Sequence, residues 1–156
     1  MEFFKKNEII ELAVKIEDNG YVFYNSAVQR KDLSPKAVKF FTYVRDEELN
    51  HKNTFKELRG KIDIFEMKES TSWEDATEYI KAIVESHVFS DPQNAINKAV
   101  EANDEQEILK NAIDFEKDTL LFFHSIKKFV NEKTLGTIQK IIDEELDHIL
   151  KLKNYK

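Results

Sequence analysis

Four stretches of this chain repeat apolar residues with the spacing of one face of an α-helix, and a glutamate interrupts each of them. An α-helix has about 3.6 residues per turn. Five other positions therefore share the helix face of each glutamate: those seven and four places before it, and those three, seven and ten places after it. The pattern predicts four long helices whose apolar faces meet in one core. These faces are Ile10, Ala13, Glu17, Gly20, Tyr24 and Ala27; Phe41, Val44, Glu48, His51, Phe55 and Leu58; Leu109, Ala112, Glu116, Thr119, Phe123 and Ile126; and Ile138, Ile141, Glu145, His148, Leu152 and Tyr155.

Two of the four faces carry a histidine three residues after the glutamate, within EELNH at 47–51 and EELDH at 144–148. The other two faces have Gly20 and Thr119 at that place. The chain therefore reads as two helix pairs, each contributing a Glu and then a Glu-x-x-His. The candidate metal ligands are Glu17, Glu48, His51, Glu116, Glu145 and His148.

The spacing of the glutamates predicts that they lie at one depth. Glu48 follows Glu17 by 31 residues, and Glu145 follows Glu116 by 29. A helix of about 25 residues is about 37 Å long, so a hairpin with a short turn returns its two glutamates to the same level. We expect four carboxylates and two imidazoles to converge in the middle of the helices.

Turn signals divide the chain into helices within one domain, 1–156. The first helix is predicted from about Asn7 to Arg30, and the second from Pro35, with Ser34 as its cap, to about Arg59 before Gly60. The third long helix is predicted from about Asp104 to Val130, and the last from Leu135, with Thr134 as its cap.

A connecting segment at about 61–103 separates the second and third long helices. Residues 60–72 lack long periodicity and are predicted as a loop, whereas 73–89 predict a shorter amphipathic helix. Asp91 and Pro92 signal a further start, so that 92–102 form a separate helical piece or extend the next helix. The fold class is all-α.

Composition excludes several classes of protein. The net charge of −6 disfavours a nucleic-acid binder. No apolar stretch approaches the roughly 20 residues that span a membrane. The first residues carry acids too early for a secretory signal, so we expect a cytoplasmic protein. The absence of cysteine excludes disulfides, zinc-thiolate sites and rubredoxin-type iron sites.

Four carboxylates brought together in a core are unfavourable without a cation, because desolvation and mutual repulsion both oppose ionisation. Two divalent metal ions would balance the four negative charges. Six protein ligands shared between two ions leave coordination positions open when carboxylates bridge, which suits a reactive centre. Carboxylate oxygen and imidazole favour iron or manganese over a thiolate-seeking metal.

Four motifs, AVKIEDNGYVFY, RDEELNHKNTF, AIDFEKDTLLFF and IIDEELDHILKL, resemble those of a rubrerythrin-type member of the ferritin-like di-iron carboxylate superfamily. The resemblance covers nearly the whole chain and implies a ferritin-like four-helix bundle, two iron ions and a homodimer. It implies that Glu17 and Glu116 are outer carboxylates, that Glu48 and Glu145 bridge the metals, and that each histidine caps one metal.

Two departures from that family bear on function. The chain has no cysteines for a rubredoxin domain, so turnover would need a separate electron-donor protein. Peroxidase-type members carry an extra glutamate on the third helix, where this chain has Ile113 and Thr119. The leading hypothesis is an oxidoreductase that reacts ferrous iron with hydrogen peroxide or O₂, as a peroxidase or a ferroxidase. The alternatives are a non-catalytic iron-handling protein and a helical interaction module without metal.

Three further glutamates compete for a place among the ligands. Glu47 and Glu144 precede the predicted bridging residues, and the apolar faces predict that both point outward or support the ligands from outside. Glu101 lies 44 residues before Glu145, too far for a simple hairpin, and is predicted not to bind.

Other polar and aromatic residues have plainer predictions. Tyr24 shares a face with Glu17 and is read as a core aromatic, with a supporting or redox role left open. His87 and His124 lack the preceding glutamate and are read as non-ligands. Trp73 and Phe89 are expected to pack the connecting helix onto the long helices or onto a neighbouring subunit.

Overall fold

A computed structural model describes residues 6–61 and 73–155 of the chain, except for the side chains of Lys6 and Trp73. These ranges are helical and contain no regular strand, which confirms the all-α prediction. None of the helices in them is both long and apolar enough to cross a membrane. The helices are α1 (Lys6–Val28), α2 (Pro35–Leu58), α3 (Trp73–Glu85), α4 (Pro92–Val100), α5 (Glu105–Lys127) and α6 (Glu132–Lys153).

Both ends of α2 follow the predicted signals. The Ser34 side chain accepts a hydrogen bond from the backbone N–H of Ala37, and Pro35 takes the first helical position. A cap of this kind stabilises a helix by about 1 kcal/mol. After α2, Gly60 adopts a φ of 82°, a left-handed conformation that favours glycine. Residues 62–72 of the predicted loop lie outside the described residues.

The predicted start of α6 is wrong by three residues. Asn131, and not Thr134, caps this helix, because the Asn131 side chain accepts a hydrogen bond from the backbone N–H of Thr134 at 2.8 Å. Asparagine caps at least as well as threonine. Thr134 itself is buried inside the first turn.

The predicted ends of two other helices are also too late. The helix expected to reach Phe89 ends at Glu85, and beyond it the backbone N–H groups of Val88 and Phe89 bond to side chains instead of helix carbonyls. Val88 N–H donates to Asp118 Oδ2 at 2.7 Å, and Phe89 N–H donates to His87 Nδ1 at 3.2 Å. Helix α5 ends at Lys127 instead of Val130.

The long helices pack in pairs, α1 along α2 and α5 along α6, while α4 packs on α1 and α3 on α5. Phe89 packs the connecting segment against this core. Its ring centroid lies 4.8 Å from that of Phe23 and 4.9 Å from that of Phe115. The expectation for Phe89 is therefore confirmed, with α1 and α5 as its partners. The expectation for the Trp73 side chain lies outside the described residues.

The four predicted faces form the interior of the protein. All their residues are buried except Leu58 and Tyr155, which are half-buried against the same core. Each large apolar side chain fully removed from water contributes about 1.5–3 kcal/mol. The free energy gained from this apolar burial is large enough to offset the cost of burying the polar side chains at the centre of each face.

Candidate metal centre

The structure brings together all six residues that the sequence singled out. They form two groups of four, within which one ligand atom per residue lies within 4.8 Å of the others. Glu48 and Glu145 belong to both groups. The first group adds Glu17 and His51, and the second adds Glu116 and His148. Each group has enough oxygen and nitrogen donors to hold a divalent cation.

Each long helix places its part of this cluster through the apolar register of its own face. One turn of α2 supplies Glu48 and His51, and one turn of α6 supplies Glu145 and His148, because residues three apart are neighbours on a helix surface. The four carboxylates are 0% exposed, and the two imidazoles are at most 2% exposed. The cluster is therefore closed to bulk water.

Glu145 links the two imidazoles. Its Oε1 lies 2.9 Å from His51 Nδ1, and its Oε2 lies 3.0 Å from His148 Nδ1. The two rings stack with centroids 5.8 Å apart. Both histidines thus turn the same ring nitrogen toward the carboxylates. Those nitrogens would have to leave Glu145 to bind metal.

Five carboxylate oxygens in the cluster receive no hydrogen bond from a hydroxyl, N–H or imidazole group of the described residues. They are both oxygens of Glu17, both oxygens of Glu48 and Oε2 of Glu116. A buried polar atom without a partner costs about 1–3 kcal/mol, and more when it is charged. Divalent cations would satisfy these oxygens and neutralise their charge together. The donor set therefore fits a pair of metal ions such as iron or manganese.

The electrostatics of the cluster follow from burial and crowding. Burial raises the pKa of Glu17, Glu48 and Glu116 well above the ordinary value, and the charge of Glu145 raises each pKa further. Burial also opposes ionisation of Glu145, but hydrogen bonds with Glu116 and both histidines outweigh it, and hold that pKa far below its usual range.

The histidines shift in the opposite sense. Burial favours the neutral imidazole of His51, but the hydrogen bond and charge of Glu145 outweigh it and raise the pKa of His51 to about 9. Glu116 and Glu145 likewise outweigh burial and raise the pKa of His148. These raised pKa values favour protonated carboxyl groups and protonated imidazoles, which reduces the net negative charge of the metal-free cluster.

Two residues support the cluster from outside. Tyr24 is fully buried, and its hydroxyl donates a hydrogen bond to Glu116 Oε1 at 2.8 Å. Glu144 is half-buried and accepts a hydrogen bond from Nε2 of His51 at 2.8 Å. A carboxylate on the far nitrogen commonly orients a metal-binding histidine. Glu47 is also half-buried, and Glu47, His51 and Glu144 each place one ligand atom within 4.8 Å of the others, so both glutamates lie outside the six-residue cluster but next to His51.

Two of the residues predicted not to bind metal lie at the surface. Glu101 is exposed and follows the last residue of α4, and His124 is exposed on α5. His87 is not among the clustered ligands, as expected, yet it is only 5% exposed. Its Nε2 lies 3.2 Å from the hydroxyl oxygen of Thr119. The sequence did not predict this pair, because the spacing of residues within a helix does not indicate which residues of the connecting segment contact α5.

Glycine at position 20 opens room for an aromatic ring beside the cluster. A Cβ atom placed on Gly20 would lie 2.5 Å from Cζ of Phe115 and 3.1 Å from Oε2 of Glu48. The tip of the Phe115 ring therefore lies close to an unpartnered carboxylate oxygen. This ring covers one side of the cluster with apolar surface.

No family model, curated protein or solved structure matches this chain. The assignment rests on the residues themselves. They define a helical protein with buried Glu and His groups at metal-binding distances, an arrangement compatible with a two-metal site.

Proposed function

We propose that this protein is a non-haem di-iron oxidoreductase with a ferritin-like four-helix bundle of the rubrerythrin type. In this proposal, two ferrous ions react with hydrogen peroxide or O₂. Glu48 and Glu145 would be shared by the two ions, which fits their membership in both groups of donors. Glu17 and His51 would help to hold one ion, and Glu116 and His148 would help to hold the other.

The unpartnered carboxylate oxygens support this proposal most strongly. A buried cluster that served only to hold the helices together would satisfy its polar atoms internally. Here Glu17 and Glu48 are fully buried, and no other described residue donates a hydrogen bond to any of their four oxygens. Such an arrangement is costly in the absence of cations and becomes favourable when two are bound.

Two ferrous ions held there would supply the two electrons that, with two protons, reduce one hydrogen peroxide molecule to two water molecules. The protein's own contribution is to bind, orient and shield. Tyr24 fixes the carboxylate of Glu116, and Glu144 orients His51. Phe115 and the complete burial of the carboxylates exclude bulk water. The chain lacks cysteine, so we propose that a separate protein returns the electrons.

Anaerobic loading followed by rapid mixing tests this proposal. We expect close to two ferrous ions per chain. Mixing with hydrogen peroxide or O₂ should oxidise both ions and produce the near-ultraviolet absorption of an oxo-bridged diferric centre. Glu48→Ala and Glu145→Ala should lose most of the binding. Glu57→Ala, on the exposed face of α2, is the matched control and should bind normally.

The outcome separates three functions. Fast oxidation sustained by an added reductant supports the oxidoreductase. Two bound ions without oxidant consumption would instead identify a protein for iron handling. Failure of the wild type to bind iron or manganese, or unchanged stoichiometry in the Glu48 and Glu145 variants, would reject the metal centre.

A further inference from the structure

The buried pair His87–Thr119 lies next to the metal centre but contributes no ligand to it. Thr119 is 0% exposed and follows Glu116 by three residues on the same face of α5. Side chains with that spacing are neighbours, with Cβ atoms about 5–6 Å apart. His87 comes from the connection between α3 and α4 and packs edge-on against Phe115, with ring centroids 5.4 Å apart.

The hydrogen bonds of His87 fix which of its nitrogens carries the proton. The backbone N–H of Phe89 donates to Nδ1, so Nδ1 has no hydrogen. Burial lowers the pKa of His87 to about 4, which keeps the ring neutral at pH 7. A neutral ring without hydrogen on Nδ1 carries it on Nε2. Nε2–H therefore donates to the Thr119 hydroxyl oxygen at 3.2 Å.

This assignment leaves the hydroxyl proton of Thr119 without an acceptor. Several other Ser and Thr hydroxyls in the described helices, such as Thr42 and Ser125, donate to a carbonyl oxygen four residues earlier. Among the described residues, the one hydrogen bond of the Thr119 hydroxyl is with His87. A fully buried donor with no acceptor is costly, and Thr119 lies on the face of α5 that carries the candidate ligand Glu116.

We infer that Thr119, positioned by His87, donates a hydrogen bond to an oxygen atom of hydrogen peroxide in the metal centre. This inference rests on the proposed function and names the oxidant. Peroxide oxygens accept hydrogen bonds well, whereas O₂ accepts them poorly. Thr119 thus contacts the substrate, and His87 is a positioning residue that holds the hydroxyl oxygen so that its proton points away from the imidazole.

Removing the hydroxyl while keeping the shape of the side chain tests the inference. The probe is azide, a small anion that accepts hydrogen bonds, titrated into iron-loaded, oxidised protein and followed by absorption. Thr119→Val should weaken azide binding by about tenfold, and Thr119→Ser should restore most of it. His87→Phe keeps a ring against Phe115 and should weaken azide binding by a smaller factor. Thr77→Val, at a buried threonine whose hydroxyl donates to the Glu74 carbonyl, is the matched control.

Two further readouts distinguish this role from a structural one. Thr119→Val should slow oxidation of bound iron by hydrogen peroxide more than oxidation by O₂, with two ferrous ions still bound. In metal-free protein, nitrogen NMR should show the His87 tautomer with hydrogen on Nε2. Equal azide affinity in wild type and Thr119→Val, no azide binding to iron-loaded wild type, or hydrogen on Nδ1 of His87 would overturn the inference alone. Wild-type protein that binds no iron would overturn the proposed function as well.

Discussion

Replacing a ligand carboxylate by an apolar side chain should stabilise the metal-free protein and destabilise the loaded one. Glu17 is the best position, because it is fully buried and neither oxygen receives a hydrogen bond from a hydroxyl, N–H or imidazole group of the described residues. Methionine has a similar length and no group that needs a partner. Glu17→Met therefore removes a desolvated acid at little cost in packing.

The size of the effect follows from the number of unsatisfied groups. Burial raises the pKa of Glu17, so its carboxyl tends to hold a proton in the metal-free protein and can donate it to a neighbouring oxygen. We therefore count one unsatisfied group, at about 1–3 kcal/mol. For a chain of this length, about 2 kcal/mol corresponds to a rise of about 4–8 °C in Tm.

The assay is thermal unfolding, followed by circular dichroism in chelator and again with excess ferrous iron under anaerobic conditions. Free metal at a hundredfold excess over its Kd should add about 2.7 kcal/mol for each ion, or about 5 kcal/mol for two ions, to the wild type. Metal should stabilise Glu17→Met much less. The variant should therefore melt above the wild type in chelator and below it in ferrous iron. Glu57→Met, on an exposed face, should behave as wild type in both conditions. A Glu17→Met protein that melts below the wild type in chelator would refute the reasoning.

Three other predictions concern separate features. Because burial lowers the pKa of His87 to about 4 in the folded protein, the unfolded chain binds more protons than the folded protein between pH 4 and 6.5. Stability should therefore be retained above about pH 6.5 and fall by roughly 3 kcal/mol toward pH 4, and pH-dependent denaturation should show a smaller fall in His87→Gln. Gly20→Ala should displace Phe115 and crowd Glu48, lowering the free energy of unfolding by about 1–3 kcal/mol and weakening ferrous-ion binding; a calorimetric titration equal to wild type would contradict this. The protein should form a homodimer, with a scattering mass twice that of the 18.4 kDa chain; a mass of one chain in dilute solution would contradict it.

Much of the cluster could be predicted from the sequence, because each candidate ligand lies within an apolar helix face that the spacing of residues makes visible. A polar residue inside a long apolar face must enter the core with its neighbours. Glu17, Glu48, Glu116 and Glu145 all do so, and they are 0% exposed. The nearly equal spacing within the two helix pairs then placed the four carboxylates at one depth. The same logic predicted that Glu144 would point outward or support the ligands from outside, and Glu144 bonds to the far nitrogen of His51.

The features that sequence reasoning missed depend on contacts between distant segments. The helix expected to reach Phe89 ends at Glu85, and Asp118 and His87 accept hydrogen bonds from the backbone N–H groups of Val88 and Phe89. The helix propensity of these residues does not predict such hydrogen bonds. The pairing of His87 with Thr119 was missed for the same reason. The start of α6 was misplaced because asparagine and threonine are both good caps, and Asn131 and Thr134 stand three residues apart.

Anomalous diffraction at the iron edge, from a crystal of ferrous-loaded protein, tests the central claim most directly. We predict two peaks per chain, both between Glu48 and Glu145, one next to His51 and the other next to His148. In that crystal neither imidazole should remain hydrogen-bonded to Glu145. Peaks elsewhere on the protein, or none with both histidines still bonded to Glu145, would contradict the account.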